Sequence, residues 1–155
     1  MSSDEIFLVQ LARAISTAQL EVIVVGSMAA AIQGAPIMTQ DIDLLIRDTP
    51  RNRTKLAAVA KQIGAAAPQS ISELSRVVSI LGGASPVDVL FDEISGGLTF
   101  ASLRSRAVDV SIAGEHMLVA SLDDIIASKT AAGRPKDNAQ LPILRLLQQD
   151  RNSGR

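Results

Sequence analysis

The sequence predicts a layered α/β fold, and three observations support this class. Apolar residues make up 47% of the 155 residues, but only three are aromatic, all of them Phe, so the core must consist of small and branched aliphatic side chains. Short β-branched runs, of which residues 22–25 are the clearest, are typical of buried strands. Segments with helical periodicity separate these runs. We therefore expect one domain over residues 1–150 and a disordered tail at 151–155.

In the first half of the chain, the predicted helices and strands alternate. Turn residues and helix caps set their limits. The predicted elements are a helix after a capping box at Ser2 and Glu5, a strand at 22–25, a short helix at 28–33, a strand at 41–46 and a helix from Pro50 to Ile63.

The second half begins with a hairpin and ends with two helices. The predicted elements are strands at 77–81 and 87–91 around Gly82-Gly83, a helix at 98–106, strands at 108–112 and 116–120, a helix from Ser121 to Gly133 and a final helix from Pro135. Pro142 lies inside the last helical pattern. Because proline cannot donate a backbone hydrogen bond, we expect it to kink this helix or to delay its start.

The composition excludes several classes of protein. The absence of cysteine rules out disulfides and thiolate metal sites and favours a cytoplasmic protein. No basic signal peptide and no apolar run of about 20 residues is present, so we expect no membrane association. The net charge of −1 predicts no broad affinity for nucleic acid, and three aromatic residues are too few for a base-stacking surface.

Three aspartates on apolar strands are the most informative residues of the chain. Asp41 and Asp43 are two positions apart, so their side chains project from the same face of the predicted strand. Asp88 lies on a second apolar strand and is a third carboxylate for the same location. Carboxylates that leave positions for substrate phosphates are typical Mg²⁺ ligands. The alternative is that these are ordinary carboxylates at strand edges, which is a weaker explanation for the paired acids than for Asp88.

Gly26-Ser27 follows the first predicted strand and precedes a helix. A glycine allows close approach of a phosphate, and the Ser27 hydroxyl is available as a hydrogen-bond donor. A Gly-Ser turn before a helix is by itself more often a structural cap. Its position about fifteen residues before the paired aspartates makes it a candidate phosphate-binding turn.

With these motifs the chain resembles the small nucleotidyltransferases of the polymerase-β-like superfamily. That group includes the minimal nucleotidyltransferases of toxin–antitoxin pairs and the abortive-infection toxins. The residues that carry the resemblance are the strand at 22–25, Gly26-Ser27, Thr39-x-Asp41-x-Asp43 and Asp88. The resemblance implies a mixed, twisted sheet flanked by helices. It also implies that Asp41, Asp43 and Asp88 are catalytic and hold two Mg²⁺ or Mn²⁺ ions, and that Gly26, Ser27 and Thr39 bind the nucleotide.

A second cluster of polar residues follows at the end of the chain. Relatives of this kind often carry a lysine and then Arg-x-Lys-Asp, which here are Lys129, Arg134, Lys136 and Asp137. The resemblance implies that the three cations bind the triphosphate, and for Lys129 the alternative is a solvated helix position. Asp137 is expected to cap its own helix. Where relatives commonly place another acid, this chain has Asn138 and Gln140.

The resemblance implies transfer of a nucleoside monophosphate from a nucleoside triphosphate (NTP) to a hydroxyl acceptor. RNA or protein is the preferred acceptor, and a small molecule stays open. The acceptor would be held by a partner protein, a second copy of the chain, or the arginines at 51–53 and 104–106. A cognate toxin or antitoxin is the expected partner protein. The alternative is a non-catalytic nucleotide-binding or antitoxin module.

Two further residues are expected to be structural. His116, the only histidine, lies in a short apolar strand and has no partners for a catalytic triad. Asp92 lies on the same face of its strand as Asp88 and is a substitute for it, but a turn residue is the preferred interpretation.

Overall fold

A computed structural model describes residues 3–66, 69–70, 77–80 and 85–154 of the chain. The helices in these ranges are α1 (Ser3–Ala18), α2 (Gly26–Ile32), α3 (Pro50–Gln62), α4 (Phe100–Arg106), α5 (Leu122–Ala132) and α6 (Pro135–Ser153). The strands are β1 (Ile23–Val25), β2 (Ile42–Ile46), β3 (Gln69–Ser70), β4 (Val77–Ile80), β5 (Val87–Phe91), β6 (Glu93–Ile94), β7 (Leu98–Thr99), β8 (Val108–Ile112) and β9 (Glu115–Val119).

Seven of the described strands form a mixed sheet in the order β3-β4-β5-β2-β1-β9-β8, and β6 pairs with β7 in a separate two-stranded sheet. Strand β2 is antiparallel to β1 and parallel to β5, and β1 is parallel to β9. The predicted mixed sheet with flanking helices is therefore confirmed. The register of the parallel pair places Asp43 of β2 directly beside Asp88 of β5.

Buried aliphatic residues fix the central strands. All three residues of β1 are buried, and in β2 only Asp43 departs from a fully buried pattern. Helix α1 packs against α3 and β9, α2 packs against α5, and α5 packs against α6. The polar side chain of Asp43 is thus held in an otherwise apolar strand at the centre of the sheet, where small backbone movements are resisted by close packing.

The predicted helix ends are confirmed at several positions. The Ser121 hydroxyl accepts a hydrogen bond from the backbone N–H of Asp124 at 3.2 Å and caps α5. Gly133 ends the same helix with φ +61°, a conformation that costs glycine little. Pro50 is the first residue of α3, whose preceding Thr49 supplies the cap. The Ser2 cap and the turn at residues 81–84 lie outside the described residues.

Three predicted helix starts need correction. Helix α2 begins at Gly26, directly after β1, rather than at residue 28. Leu98 and Thr99 form strand β7, which pairs with β6, so α4 begins only at Phe100. Helix α6 runs without interruption from Pro135 through Pro142, so a delayed start is wrong.

The predicted disordered tail is wrong for residues 151–153. These residues belong to α6, and Arg151 donates hydrogen bonds to the side chain and backbone of Gln33. The last turns of α6 are therefore attached to the end of α2.

Across the described ranges, no helix is both long enough and apolar enough to cross a bilayer.

Candidate active site

Asp41, Asp43 and Asp88 line one cavity of about 430 Å³, and we call these three residues the acidic wall. Asp43 and Asp88 are neighbours on parallel strands, whereas Asp41 is the residue that precedes β2. The Ser79 hydroxyl donates to Asp88 Oδ1 at 2.7 Å. Asp41 is the most open of the three, with 53% of its side chain exposed. All three carboxylates therefore border the same cavity.

The pKa of Asp43 is raised. Burial is the largest cause, because it disfavours the charged carboxylate, and the negative charge of Asp88 adds to it. The positive charges of Lys136 and Arg134 act in the opposite direction but are outweighed. A cation bound next to Asp43 would favour the charged carboxylate and so lower this pKa.

Gly26 brings the backbone against this wall. Its φ is +68°, and a Cβ at this position would lie 2.8 Å from Asp43 Oδ2. That distance is too short for any other side chain unless the carboxylate moves. The glycine at position 26 is therefore explained by the Asp43 carboxylate, which occupies the space that a side chain would need.

Lys129, Arg134 and Lys136 line the same cavity, and we call these three residues the basic wall. Lys129 comes from α5, Arg134 precedes α6, and Lys136 belongs to the first turn of α6. The side chains of Arg134 and Lys136 are 70% and 53% exposed, but that of Lys129 is only 6% exposed. The interpretation of Lys129 as a solvated helix residue is therefore wrong.

Asp137 is the buried counter-ion of the basic wall. Its oxygens accept from Arg134 Nε at 2.7 Å, from Lys129 Nζ at 3.3 Å and from the backbone N–H of Arg134 at 3.2 Å. The last of these contacts caps α6 and confirms the predicted capping role. Burial raises the pKa of Asp137, but the hydrogen bonds from Arg134 and Lys129 outweigh it and lower the pKa overall.

The charge on Lys129 is stabilised less well. Burial lowers its pKa, although the hydrogen bond and the charge of Asp137 counteract this. Its ammonium group also donates to Ser27 Oγ at 2.9 Å. Lys129 thus connects α5 to the turn at Gly26-Ser27 and to α6.

The Ser27 hydroxyl has a second partner that the sequence did not indicate. It donates to Gln140 Oε1 at 2.8 Å, across 113 residues of chain. Gln140 occupies one of the two positions at which this chain departs from the related pattern. The departure itself was visible in the sequence, but its contact with Ser27 was not.

The two walls meet at the cavity opening. Lys136 Nζ lies 3.6 Å from Asp41 Oδ2, and both side chains are about half exposed. The rest of the lining is neutral and consists mainly of aliphatic residues with two serines, namely Val25, Val77, Leu90, Ile94, Ser95, Ala120, Ile125, Ser128 and Ala132. The cavity therefore has an anionic side, a cationic side and an uncharged side.

Thr39, predicted to bind nucleotide, is not part of the cavity lining. Its hydroxyl donates to the backbone oxygen of Asp41 at 3.4 Å, so it contacts the segment that carries Asp41. Asp92 accepts from the backbone N–H of Asp48 and has φ +69°, which confirms the preferred interpretation of a turn residue. His116 is exposed on β9 beside Asp109 and does not line the cavity.

The arginines proposed to grip an acceptor also lie outside the cavity lining. Arg53 pairs with Asp48 at 2.7 Å and stacks on the ring of Phe91, at the end of β5 away from Asp88. Arg104 pairs with Glu21. These guanidinium groups already have partners within the protein, so the expectation that they hold an acceptor has no support from the geometry.

The acidic wall has the ligand chemistry of a hard divalent cation. Carboxylate oxygens are the preferred ligands of Mg²⁺ and Mn²⁺, and the raised pKa of Asp43 reflects first its burial and then the charge of Asp88. In the described part of the chain, no three acidic or histidine side chains are close enough to form a compact metal cluster.

Comparison with solved structures shows a nucleotidyltransferase fold. The antibiotic-resistance factor ANT(2'')-Ia, solved in complex with adenylyl-2''-tobramycin, has a TM-score of 0.66 at 18% identity, over 92% of this chain and 88% of its own. TM1012 of Thermotoga maritima has a TM-score of 0.61 at 17% identity, over 92% of this chain and 91% of its own. An antigenic nucleotidyltransferase-like protein from Paracoccidioides brasiliensis has a TM-score of 0.53 at 17% identity, over 95% and 78%.

Sequence comparison defines the family within that fold. Residues 6–149 match the family described as nucleotidyltransferase of unknown function (DUF6036). The chain therefore belongs to this nucleotidyltransferase family. No match was found among curated proteins by sequence.

Proposed function

We propose that the protein is a metal-dependent nucleotidyltransferase that transfers a nucleoside monophosphate from an NTP to a hydroxyl group. The family supports nucleotidyl transfer in general. The observation that carries the specific proposal is the pairing of Asp43 with Asp88 beside Gly26, in one cavity with three cationic side chains. An acidic side for cations that faces a basic side for phosphates is suited to a metal-bound triphosphate.

Asp41, Asp43 and Asp88 would hold Mg²⁺ or Mn²⁺, with two ions as the working assumption. When bound, such ions stabilise the charge that develops on the attacking and leaving oxygens. Arg134 and Lys136 are the exposed cations that can reach phosphate oxygens directly. Lys129 contributes its buried charge from behind Ser27.

In the proposed reaction, the acceptor hydroxyl oxygen forms a bond to the α-phosphorus of the NTP. The bond from that phosphorus to the oxygen bridging the α- and β-phosphates breaks, and pyrophosphate leaves. The hydroxyl proton passes to a base, for which Asp88 is the candidate in the cavity. The protein's contribution is alignment and electrostatic stabilisation, because phosphoryl-type transfer needs little covalent help.

The acceptor is the least determined part of the proposal. RNA and protein are the acceptors expected from the sequence resemblance, with a toxin–antitoxin partner or a homodimer holding them. ANT(2'')-Ia, similar in fold and of comparable length, was solved with an adenylylated small molecule, which makes a small hydroxyl compound a third candidate.

Transfer of radioactivity from each α-³²P-NTP tests the proposal. The protein is incubated with Mg²⁺ or Mn²⁺ and a cell extract supplemented with small hydroxyl compounds, and the labelled product is tested with RNase and protease. We expect label transfer by the unmodified protein, and its loss by a factor of about 10²–10³ or more in Asp43→Asn and Asp88→Asn. Chelation of divalent cations should have the same effect.

Asp109→Asn is the matched control, because Asp109 is an exposed aspartate of β8 outside the cavity. It should transfer label at the unmodified rate. Full activity of Asp43→Asn would show that the proposed site is wrong. Absence of label with every NTP and acceptor, together with intact nucleotide binding, would favour the non-catalytic nucleotide-binding module instead.

A further inference from the structure

The Ser27 hydroxyl is fully engaged within the protein, although it lines the proposed phosphate site. A serine hydroxyl has one proton to donate. Here that proton is donated to Gln140 Oε1 at 2.8 Å, while the oxygen accepts from Lys129 Nζ at 2.9 Å. Ser27 is 6% exposed and lies between the cavity and α6. A phosphate oxygen in the cavity can therefore bind this hydroxyl only if the proton leaves Gln140.

We propose that Gln140 competes with the nucleotide triphosphate for the hydroxyl proton of Ser27. In the nucleotide-free protein the hydroxyl points to Gln140, and on nucleotide binding it rotates towards a phosphate oxygen. This inference rests on the proposed function, because it assumes that the cavity binds a triphosphate. Gln140 is then a positioning residue that acts through Ser27 and sets the affinity for the nucleotide.

The chemistry of the two acceptors gives the direction of the exchange. Gln140 offers a neutral amide oxygen, whereas a phosphate offers a charged one, and hydrogen bonds to charged acceptors are roughly twice as strong. The contact between Lys129 and Ser27 does not need to break, since it uses the lone pair of the hydroxyl. Gln140 is half-buried, so water can replace the lost partner. The internal contact therefore lowers the affinity without blocking the site.

A comparison with two other side chains at position 140 shows why an amide suits this role. A glutamate here would place a carboxylate 2.8 Å from Ser27 and beside a site proposed for phosphates. That charge would hold the proton more strongly and repel the anion. A methionine has nearly the same shape but no strong acceptor, so it would leave the Ser27 proton free for the cavity.

Binding of Mg²⁺-tripolyphosphate measured by calorimetry tests the proposal, because this probe carries the triphosphate charge without a base. The unmodified protein, Gln140→Met and Gln140→Glu are compared, each also with Ser27→Ala. A hydrogen bond of this kind contributes a factor of about three to ten in affinity. We expect Gln140→Met to bind more tightly by that factor and Gln140→Glu to bind more weakly. The gain in Gln140→Met should vanish when Ser27 is alanine.

Melting temperatures show whether each variant keeps its fold. Damage to the fold could not explain tighter binding in any case, since a loss of structure cannot increase affinity. Unchanged or weaker binding by Gln140→Met and by a second variant, Gln140→Ala, would overturn the proposal. A gain that persists with Ser27→Ala would overturn it as well, because the effect would not act through the hydroxyl. If the unmodified protein fails to bind Mg²⁺-tripolyphosphate, the proposed function itself fails, and this inference fails with it.

Discussion

Asp43 and Asp137 belong to the same site, yet their environments shift their pKa values in opposite directions. Burial raises the pKa of Asp43, and the neighbouring carboxylate of Asp88 adds to this effect. Asp137 has two cationic partners within hydrogen-bond distance, and its pKa is lowered. The acidic wall is therefore electrostatically incomplete, whereas the basic wall is balanced from behind by a buried anion.

This difference indicates which part of the site is built by the protein and which part is left for ligands. The basic wall is positioned before any ligand arrives, because Asp137 holds Lys129 and Arg134 in place. The acidic wall holds its charges close together at a cost in stability, which is typical of functional sites. Three substitutions, taken from the largest expected effect on stability to the smallest, test the comparison.

Asp137→Asn should have the largest effect. It removes the buried counter-charge of Lys129, and leaving one partner of a buried ion pair costs about 3–5 kcal/mol in the free energy of unfolding. Urea unfolding followed by circular dichroism measures this loss. The double variant Lys129→Met/Asp137→Leu should recover most of the stability, because it removes both buried charges.

Asp123→Asn is the control for this experiment, since Asp123 is an exposed residue of α5 bonded to Gln148. Its unfolding free energy should change by less than about 1 kcal/mol. Equal losses in Asp137→Asn and Asp123→Asn would contradict the view that Asp137 supports the basic wall.

Asp43→Asn should act in the opposite direction and stabilise the metal-free protein. It removes the repulsion with Asp88 and the burial of a charge, which we estimate at about 1 kcal/mol, or a rise in Tm of about 2–4 °C. The same substitution should abolish transfer. Calorimetric melting in the presence of a chelator checks the stability, and a lower Tm for Asp43→Asn would contradict the interpretation of the acidic wall.

The effect of Asp43→Asn should depend on pH. Because the pKa of Asp43 is higher in the folded protein than in the unfolded chain, the unmodified protein loses stability as the pH rises through the folded pKa. Below the ordinary aspartate pKa the two proteins should therefore melt alike. The advantage of Asp43→Asn should appear as the pH rises and then stay constant, which a series of melting curves between pH 3 and 7 would measure.

Lys136→Met should have the smallest effect on stability. Its contact with Asp41 is half exposed, and such ion pairs contribute no more than about 0.5 kcal/mol. Affinity for Mg²⁺-tripolyphosphate should nevertheless fall several-fold, because Lys136 is one of two exposed cations of the basic wall. An unchanged affinity beside an unchanged Tm would mean that Lys136 does not contact phosphate. Lys61→Met on α3, outside the cavity lining, is the matched control.

The sequence was sufficient to predict most of the fold and the acidic wall. Alternation on a strand put Asp41 and Asp43 on one side, and the register of two parallel strands then brought Asp88 beside them. Local signals of this kind are periodic and need no knowledge of distant contacts. The same holds for Ser121 and Gly133, whose cap conformations depend on neighbouring backbone alone.

The features that the sequence did not predict depend on contacts between distant segments. Gln140 acquires its role from Ser27, 113 residues away, and no local pattern announces such a pair. For Lys129 the sequence left a solvated helix position open as the alternative to phosphate binding, and only its contact with Asp137 of α6 shows that the side chain is buried. Pro142 is exposed on α6, while the buried Leu141 and Leu144 beside it hold that helix together. Tertiary packing therefore overrode the local preference of proline.

The parallel pairing of β1 with β9 has a consequence for the protein as it emerges from the ribosome. Strand β1 can pair with β9 only after residues 115–119 have been synthesised. The acidic wall is complete once residue 88 has been synthesised, but the basic wall needs residues 129–136. During translation the carboxylates therefore exist for a time without their opposing cations. A nascent chain stalled in that interval would have its paired acids and an unfinished sheet edge, and such an edge is open to pairing with other chains.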